Sequence, residues 1–168
     1  MKRTFLSTLC ALALLSAFLA LPAQAQTVVG GTGGATLVME HGNLHSVGAV
    51  LTEVEFQYAD DNGVQRGGIL AYTGLDQGGG EQVGGGYRYY WPRPGGSFLF
   101  VGIGGFVLGN DTPGVSELSG FMGGEVGIQV PFQGEAENKV TAFAGVYPAV
   151  AGAKDTAIIR LGARVALN

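Results

Sequence analysis

The stretch Thr156–Leu167, TAIIRLGARVAL, alternates between two kinds of side chain. Every odd position is apolar, whereas the even positions include Thr156 and two arginines, Arg160 and Arg164. Successive side chains of a β-strand point to opposite faces of its sheet. The stretch therefore predicts a strand with one wholly apolar face and one face that carries charge.

Seven further runs of apolar or alternating character precede this stretch, and turn sequences rich in Gly, Asn, Asp and Pro separate them. One such turn, Asp60-Asp61-Asn62-Gly63, has ordinary hairpin chemistry, and no run has a convincing helical period. The sequence predicts an all-β protein, an eight-stranded antiparallel up-and-down barrel over residues 35–168. The predicted strands are residues 35–41, 45–59, 64–74, 83–91, 97–108, 118–132, 139–150 and 156–167.

The charged side chains fall in the middle of the predicted strands rather than at their ends. In a soluble barrel such charges would face water, whereas in a membrane barrel they face the lumen and the apolar face meets lipid. We expect the second arrangement, with a lumenal charge network that either simply fills the barrel or gates ions. Its predicted members are Glu53, Glu55, Arg88, Glu125, Arg160 and Arg164.

Aromatic side chains cluster where alternate strands end, which an up-and-down barrel brings to one rim. Amphipathic rings prefer the membrane–water interface, so this cluster predicts an aromatic girdle. Its predicted members are Phe56, Tyr58, Tyr89, Trp91 and Phe132.

The first 25 residues read as an export signal. Lys2 and Arg3 precede an apolar run, and Ala23-Gln24-Ala25 is a small-x-small cleavage site. We expect the mature chain to begin with a glycine-rich lead-in, residues 26–34. Removal of the signal takes away the only cysteine, and it leaves seven basic against 13 acidic residues, a net charge of minus six. A disulfide scaffold and a nucleic-acid partner are therefore not expected.

The C-terminal run resembles the assembly signal of small outer-membrane β-barrels, the class typified by the transmembrane domain of outer-membrane protein A. The matching pattern is polar-x-Gly-x-x-apolar-x-apolar, carried by Arg160, Gly162, Val165 and Leu167, although the chain ends on Asn168 rather than on an aromatic residue. The resemblance implies an outer-membrane location, contact with outer-membrane lipid and recognition by the barrel-assembly machinery.

Other side-chain groups suggest chemistry only weakly. Glu40, His41 and His45 lack an evident further metal ligand, and neighbours such as His45 and Ser46 point to opposite faces of a strand. We therefore expect neither an enzyme nor a metal or other cofactor.

The expected role is structural, adhesive or envelope-interacting, through outer loops 75–82 and 109–117, without a large pore. The sequence does not identify an extracellular partner. Two alternatives stay open: a soluble periplasmic lipocalin-like barrel that binds an apolar ligand, and a lipid-modifying outer-membrane enzyme.

Overall fold

The chain forms eight long β-strands. The computed structural model describes residues 26–76, 80–109, 115, 118–132, 135–153 and 155–167, so the predicted signal peptide lies outside the described residues. A short 3₁₀ turn, Pro94–Gly96, lies between the fourth and fifth strands. Among the described residues, no helix has the length and apolar character needed to cross a membrane. The strands are β1 Gln26–Glu40, β2 Asn43–Ala59, β3 Gln65–Asp76, β4 Glu81–Pro92, β5 Phe98–Leu108, β6 Ser119–Phe132, β7 Glu135–Ala151 and β8 Thr156–Leu167.

Each strand pairs antiparallel with the next, and β1 pairs with β8 to close the barrel. This topology confirms the predicted eight-stranded up-and-down barrel. The predicted lead-in is wrong, because residues 26–34 belong to β1 and pair with both β2 and β8. Closure explains the difference: without this segment the terminal half of β8 would have an unpaired edge.

The two ends of the barrel differ in their connections. The terminal end holds Gln26 and Leu167 and the turns after β2, β4 and β6. The far end holds the remaining four connections, including the ten-residue segment between β5 and β6. The tightest far-end turn is His41-Gly42, where both residues have positive φ.

The side chains separate into an apolar outer face and a largely polar inner face. Val50 and Ile103 on the outside are 72% and 71% exposed, whereas Arg88 and Arg164 on the inside are 2% and 1% exposed. A soluble barrel needs the opposite arrangement, because with this one water would meet the apolar side chains. The lipocalin-like alternative is therefore wrong, and the exterior is one suited to lipid.

Candidate functional site

Five charged side chains meet in the middle of the lumen, and we call them the charge cluster: Glu53, Glu55, Arg88, Glu125 and Arg164. Arg88 donates through Nη1 to Glu53 Oε1 at 2.7 Å and through Nε to Glu125 Oε1 at 2.5 Å. Arg164 Nη1 lies 2.6 Å from Glu53 Oε1 and 2.7 Å from Glu55 Oε2. The residues come from β2, β4, β6 and β8, so the ion pairs cross the barrel axis and tie alternate strands together.

Hydroxyl groups donate further hydrogen bonds to the carboxylates of the charge cluster. Thr32 donates to Glu53 Oε2 at 2.9 Å, and Tyr147 donates to Glu125 Oε2 at 3.0 Å. Tyr90 donates a short hydrogen bond to Glu55 Oε1. Buried carboxylates need such partners, because an unmet buried acceptor costs free energy comparable to a lost hydrogen bond.

Glycines on the inner face make room for these long side chains. A Cβ atom on Gly68 would lie 2.2 Å from Glu55 Oε1, and one on Gly102 would lie 2.9 Å from Glu125 Cγ and 3.2 Å from Arg88 Cγ. The glycine content of the strands thus has a packing reason: a narrow barrel holds arginine and glutamate only where a neighbouring position has no side chain.

Arg160 does not join the charge cluster, which corrects the predicted network. Its inner-face position on β8 lies nearer the far end than that of Arg164, and none of the ion pairs among the described residues includes it. Its guanidinium instead donates through Nη2 to Gln82 Oε1 at 2.5 Å and lies over aromatic rings. We call these rings the aromatic cage: Tyr72, Phe106 and Tyr147, with Arg160 Cζ at 5.0, 3.7 and 5.7 Å from their centroids.

Apolar side chains fill the lumen between the aromatic cage and the far end. Val38, Leu108 and Ile158 are completely buried there. Val115, from the segment between β5 and β6, is buried in the same cluster. This layer was not predicted, because Ile158 occupies an even position of β8, the face that its two arginines marked as charged.

Lys139 is a further lumenal cation that the sequence analysis missed. Its ammonium group donates to Gln65 Oε1 at 2.9 Å, from β7 to β3 on the opposite side of the barrel. It also lies 5.3 Å from the centroid of the Phe98 ring. The lysine begins the predicted strand 139–150. It lies two residues from Thr141, so the two side chains share one face of the strand, and this spacing could have indicated the position of Lys139.

The predicted girdle residues Tyr89, Trp91 and Phe132 are exposed on the outer face, and Tyr58 is half-buried there. Tyr89 and Trp91 pack edge to face at 4.9 Å. Phe56 shares this face by alternation, but its side chain is only 1% exposed. It therefore differs from the exposed girdle side chains with which it was predicted to contact lipid. Tyr87, which the prediction omitted, shares a short hydrogen bond with the hydroxyl group of Tyr58.

The predicted assembly signal lies on both faces of β8. Arg160 and Gly162 face inward, and Val165 is exposed outside. Leu167 ends the strand, and its side chain lies outside the described residues. β8 is paired along both edges, with β1 over Thr156–Leu167 and with β7 from Ala157 to Ala166.

The histidines at the far end form no recognisable catalytic or metal site. His41 lies in the β1–β2 turn, and His45 and Ser46 are exposed neighbours on β2 with opposite orientations. Within the part of the chain that the structure describes, no group of three His, Cys, Asp or Glu side chains is placed to hold a metal ion.

Asp60 organises the turn between β2 and β3. Its Oδ1 accepts hydrogen bonds from the amides of Val64 and Asn62, both at 3.0 Å, and Oδ2 accepts one from Arg66 Nε at 2.8 Å. The Val64 amide and the Arg66 guanidinium lower the pKa of the Asp60 carboxyl from its ordinary value, because both stabilise the ionised form.

A closed eight-stranded barrel with an apolar exterior and a charged lumen defines a class, the small outer-membrane β-barrels. Solved structures with this fold include Neisserial surface protein A, with a TM-score of 0.60 and 9% identity over 85% of this chain and 97% of that one. The fold and the apolar exterior locate the chain in the outer membrane.

Two structures of Ail, the attachment invasion locus protein of Yersinia pestis, are also similar. The complex with the heparin analogue sucrose octasulfate has a TM-score of 0.48 and 12% identity over 86% of this chain and 99% of that one. The structure in phospholipid bilayer nanodiscs has a TM-score of 0.42 and 12% identity over 84% and 100%. No family model and no curated protein sequence matches the chain.

Proposed function

We propose that the chain is a non-conducting outer-membrane barrel with a structural or surface-contact role, and that it is neither a pore nor an enzyme. The observation that carries the proposal is the charge cluster, whose ion pairs cross the lumen between alternate strands. An eight-stranded barrel has an interior that side chains can fill. Closure at this level leaves the outer surface and the far-end loops as the parts that meet partners.

Two further layers support closure of the lumen. The aromatic cage with Arg160 lies nearer the far end than the charge cluster does, and the apolar residues around Val115 lie between the cage and the far end. An ion entering from the far end would lose its hydration shell against apolar side chains before it reached any compensating charge, which is the basis of a hydrophobic barrier.

Single-channel recording tests closure. The refolded barrel, inserted in planar phospholipid bilayers, should give no steady conductance above the bare membrane. Insertion is checked in parallel by flotation with vesicles and by the mobility shift of unheated protein on gels. A stable open level in the native protein, with insertion demonstrated, would overturn the proposal.

The surface-contact role is tested separately from the structural role. A strain that lacks the protein should become more sensitive to detergent, and the native chain should restore resistance. A matched variant replaces residues 110–114 with Gly and Ser but keeps Val115. If this variant restores full detergent resistance, the role is purely structural. If the variant inserts in the membrane but does not restore resistance, the protein makes its contact through the loop. A deletion strain with unchanged envelope properties contradicts both roles.

We also propose that the barrel-assembly machinery recognises β8 before the barrel closes. This order is supported by the pairing of β8 with both neighbours in the closed barrel, which would hide the signal afterwards. Val165→Asp changes an outward residue of the signal and should slow assembly in cells, with accumulation of unfolded periplasmic protein. Val50→Asp, an outward substitution in β2, is the control for simple loss of apolar surface, and equal delay in both variants would contradict recognition through β8.

A further inference from the structure

The charge cluster contains one more carboxylate than guanidinium group. Glu53, Glu55 and Glu125 face Arg88 and Arg164, and the shared contacts leave no further cation within the cluster. Lys139, at the terminal end, is partly exposed and hydrogen-bonded to Gln65, and it interacts electrostatically with Glu55 on that side of the cluster, whereas Glu125 lies toward Arg160. Uncompensated charge in a buried site is unfavourable, so the excess negative charge needs a cation nearby.

Arg160 is the opposite case, a buried cation without a paired carboxylate among the described ion pairs. The residue is 5% exposed, and its guanidinium lies over Phe106 with Tyr72 and Tyr147 on neighbouring sides. A guanidinium within about 6 Å of a ring centroid is attracted by the ring quadrupole, most strongly where water is excluded. Gln82 accepts a hydrogen bond from this guanidinium through Oε1, and the hydroxyl group of Tyr72 is a second hydrogen-bond partner.

Tyr147 contacts both groups. Its hydroxyl donates to Glu125 of the charge cluster, and its ring lies 5.7 Å from Arg160 Cζ. Phe106 packs against the same ring edge to face at 5.0 Å, which fixes the walls of the cage. The excess carboxylate and the unpaired guanidinium are thus separated by a single aromatic layer.

We infer that Tyr72, Phe106 and Tyr147 form a guanidinium-binding site in the lumen, which Arg160 occupies as an intramolecular ligand and which the excess carboxylate of the charge cluster favours electrostatically. The ligand class of this site is a small planar organic cation. A neutral molecule of the same shape lacks the charge, and a compact ammonium ion lacks the planar face that stacks on a ring.

Arg160→Ala tests the inference by emptying the site. Methylguanidinium, which matches the end of the arginine side chain, is titrated into the refolded variant in detergent micelles and followed through the ring resonances of Phe106 and Tyr72. We expect saturable binding, roughly tenfold or more tighter than that of N-methylurea, the neutral molecule of similar shape. The native protein, whose site Arg160 already fills, should bind methylguanidinium roughly tenfold or more weakly than the Arg160→Ala variant does. Equal responses to the two probes would overturn the inference.

A double-mutant cycle keeps the inference testable if Arg160→Ala does not fold. Arg160→Gln, Glu125→Gln and the double variant are compared by urea unfolding. If Arg160 and Glu125 interact across one aromatic layer, the unfolding constant of the double variant should differ by about fivefold to tenfold from the value obtained by multiplying the two single effects. Agreement within about twofold would overturn the electrostatic link. These results do not depend on conductance, so an open native channel would refute closure of the lumen and leave the cation site standing.

Discussion

Removal of Arg88 is the most informative single perturbation of this barrel. Arg88→Ala deletes the close contacts with Glu53 and Glu125 and the 3.5 Å contact with Glu55. Glu53 and Glu55 keep Arg164, but Glu125 loses its ion-pair partner and keeps the hydroxyl of Tyr147. Because Glu125 is largely buried, the change leaves a carboxylate without a counter-charge.

The expected loss follows from that geometry. Breaking a buried pair by removing one partner costs roughly 3 to 5 kcal/mol. This corresponds to roughly a hundredfold to several-thousandfold increase in the unfolding constant. The matched control is Arg66→Ala, because Arg66 pairs with Asp60 at 2.8 Å but is 36% exposed. An exposed pair of this kind contributes about 0 to 1 kcal/mol.

The assay is reversible urea unfolding of the barrel refolded in phosphatidylcholine vesicles. Fluorescence of Trp91, the only tryptophan, reports the transition, and the mobility shift of unheated protein on gels gives an independent measure. The double variant Arg88→Ala with Glu125→Gln should regain part of the loss, since it removes the uncompensated carboxylate. A loss no larger than that of Arg66→Ala would refute the reasoning.

Three further predictions follow from the structure. Gly102→Ala should destabilise the barrel by about 1 to 3 kcal/mol in the same urea assay, because its methyl group would press on the charge cluster. Gly33→Ala, whose new methyl group meets open space, should be neutral or stabilise by about 0.5 to 1 kcal/mol, and equal losses in the two variants would contradict the packing role. The lowered pKa of Asp60 predicts that its turn is most stable above the ordinary carboxyl pKa and loosens as pH falls through the pKa of the folded protein. The loosening should be seen as faster hydrogen exchange of the Val64 amide. An exchange rate that changes no more than its intrinsic pH dependence would contradict this prediction. Trp91 fluorescence should be quenched by lipids brominated near the headgroup, and no quenching would place its ring away from lipid.

The fold was predictable because strand alternation is a local property. The period of two in Thr156–Leu167 indicates two faces without knowledge of any neighbour, and the turn sequences between the runs predict hairpins. The same rule predicted that Glu53 and Arg88 share the inner face. It failed for residues 26–34, because small residues such as Gly30 and Gly31 give no alternation to read, although their backbone pairs on both sides.

The site was predictable only as a set of inward charges. Arg160 and Arg164 are four residues apart on the same face of β8, and alternation alone treats them alike. Their different partners depend on height within the barrel, since Arg164 is level with Thr32 and Arg160 with Thr36 on β1. Phe56 shows the same limit on the outside, because alternation assigns its face but not its burial.

The sequence by itself thus determined that this chain is an eight-stranded barrel and that charged side chains such as Arg160 and Arg164 share one face of a strand, because these depend on a two-residue period and on turn chemistry. Only the tertiary structure decided that Arg88 and Arg164 meet three glutamates while Arg160 enters an aromatic cage. Contacts across a lumen depend on the stagger of strands far apart in sequence and on the length of each side chain, and neither is encoded in any one strand.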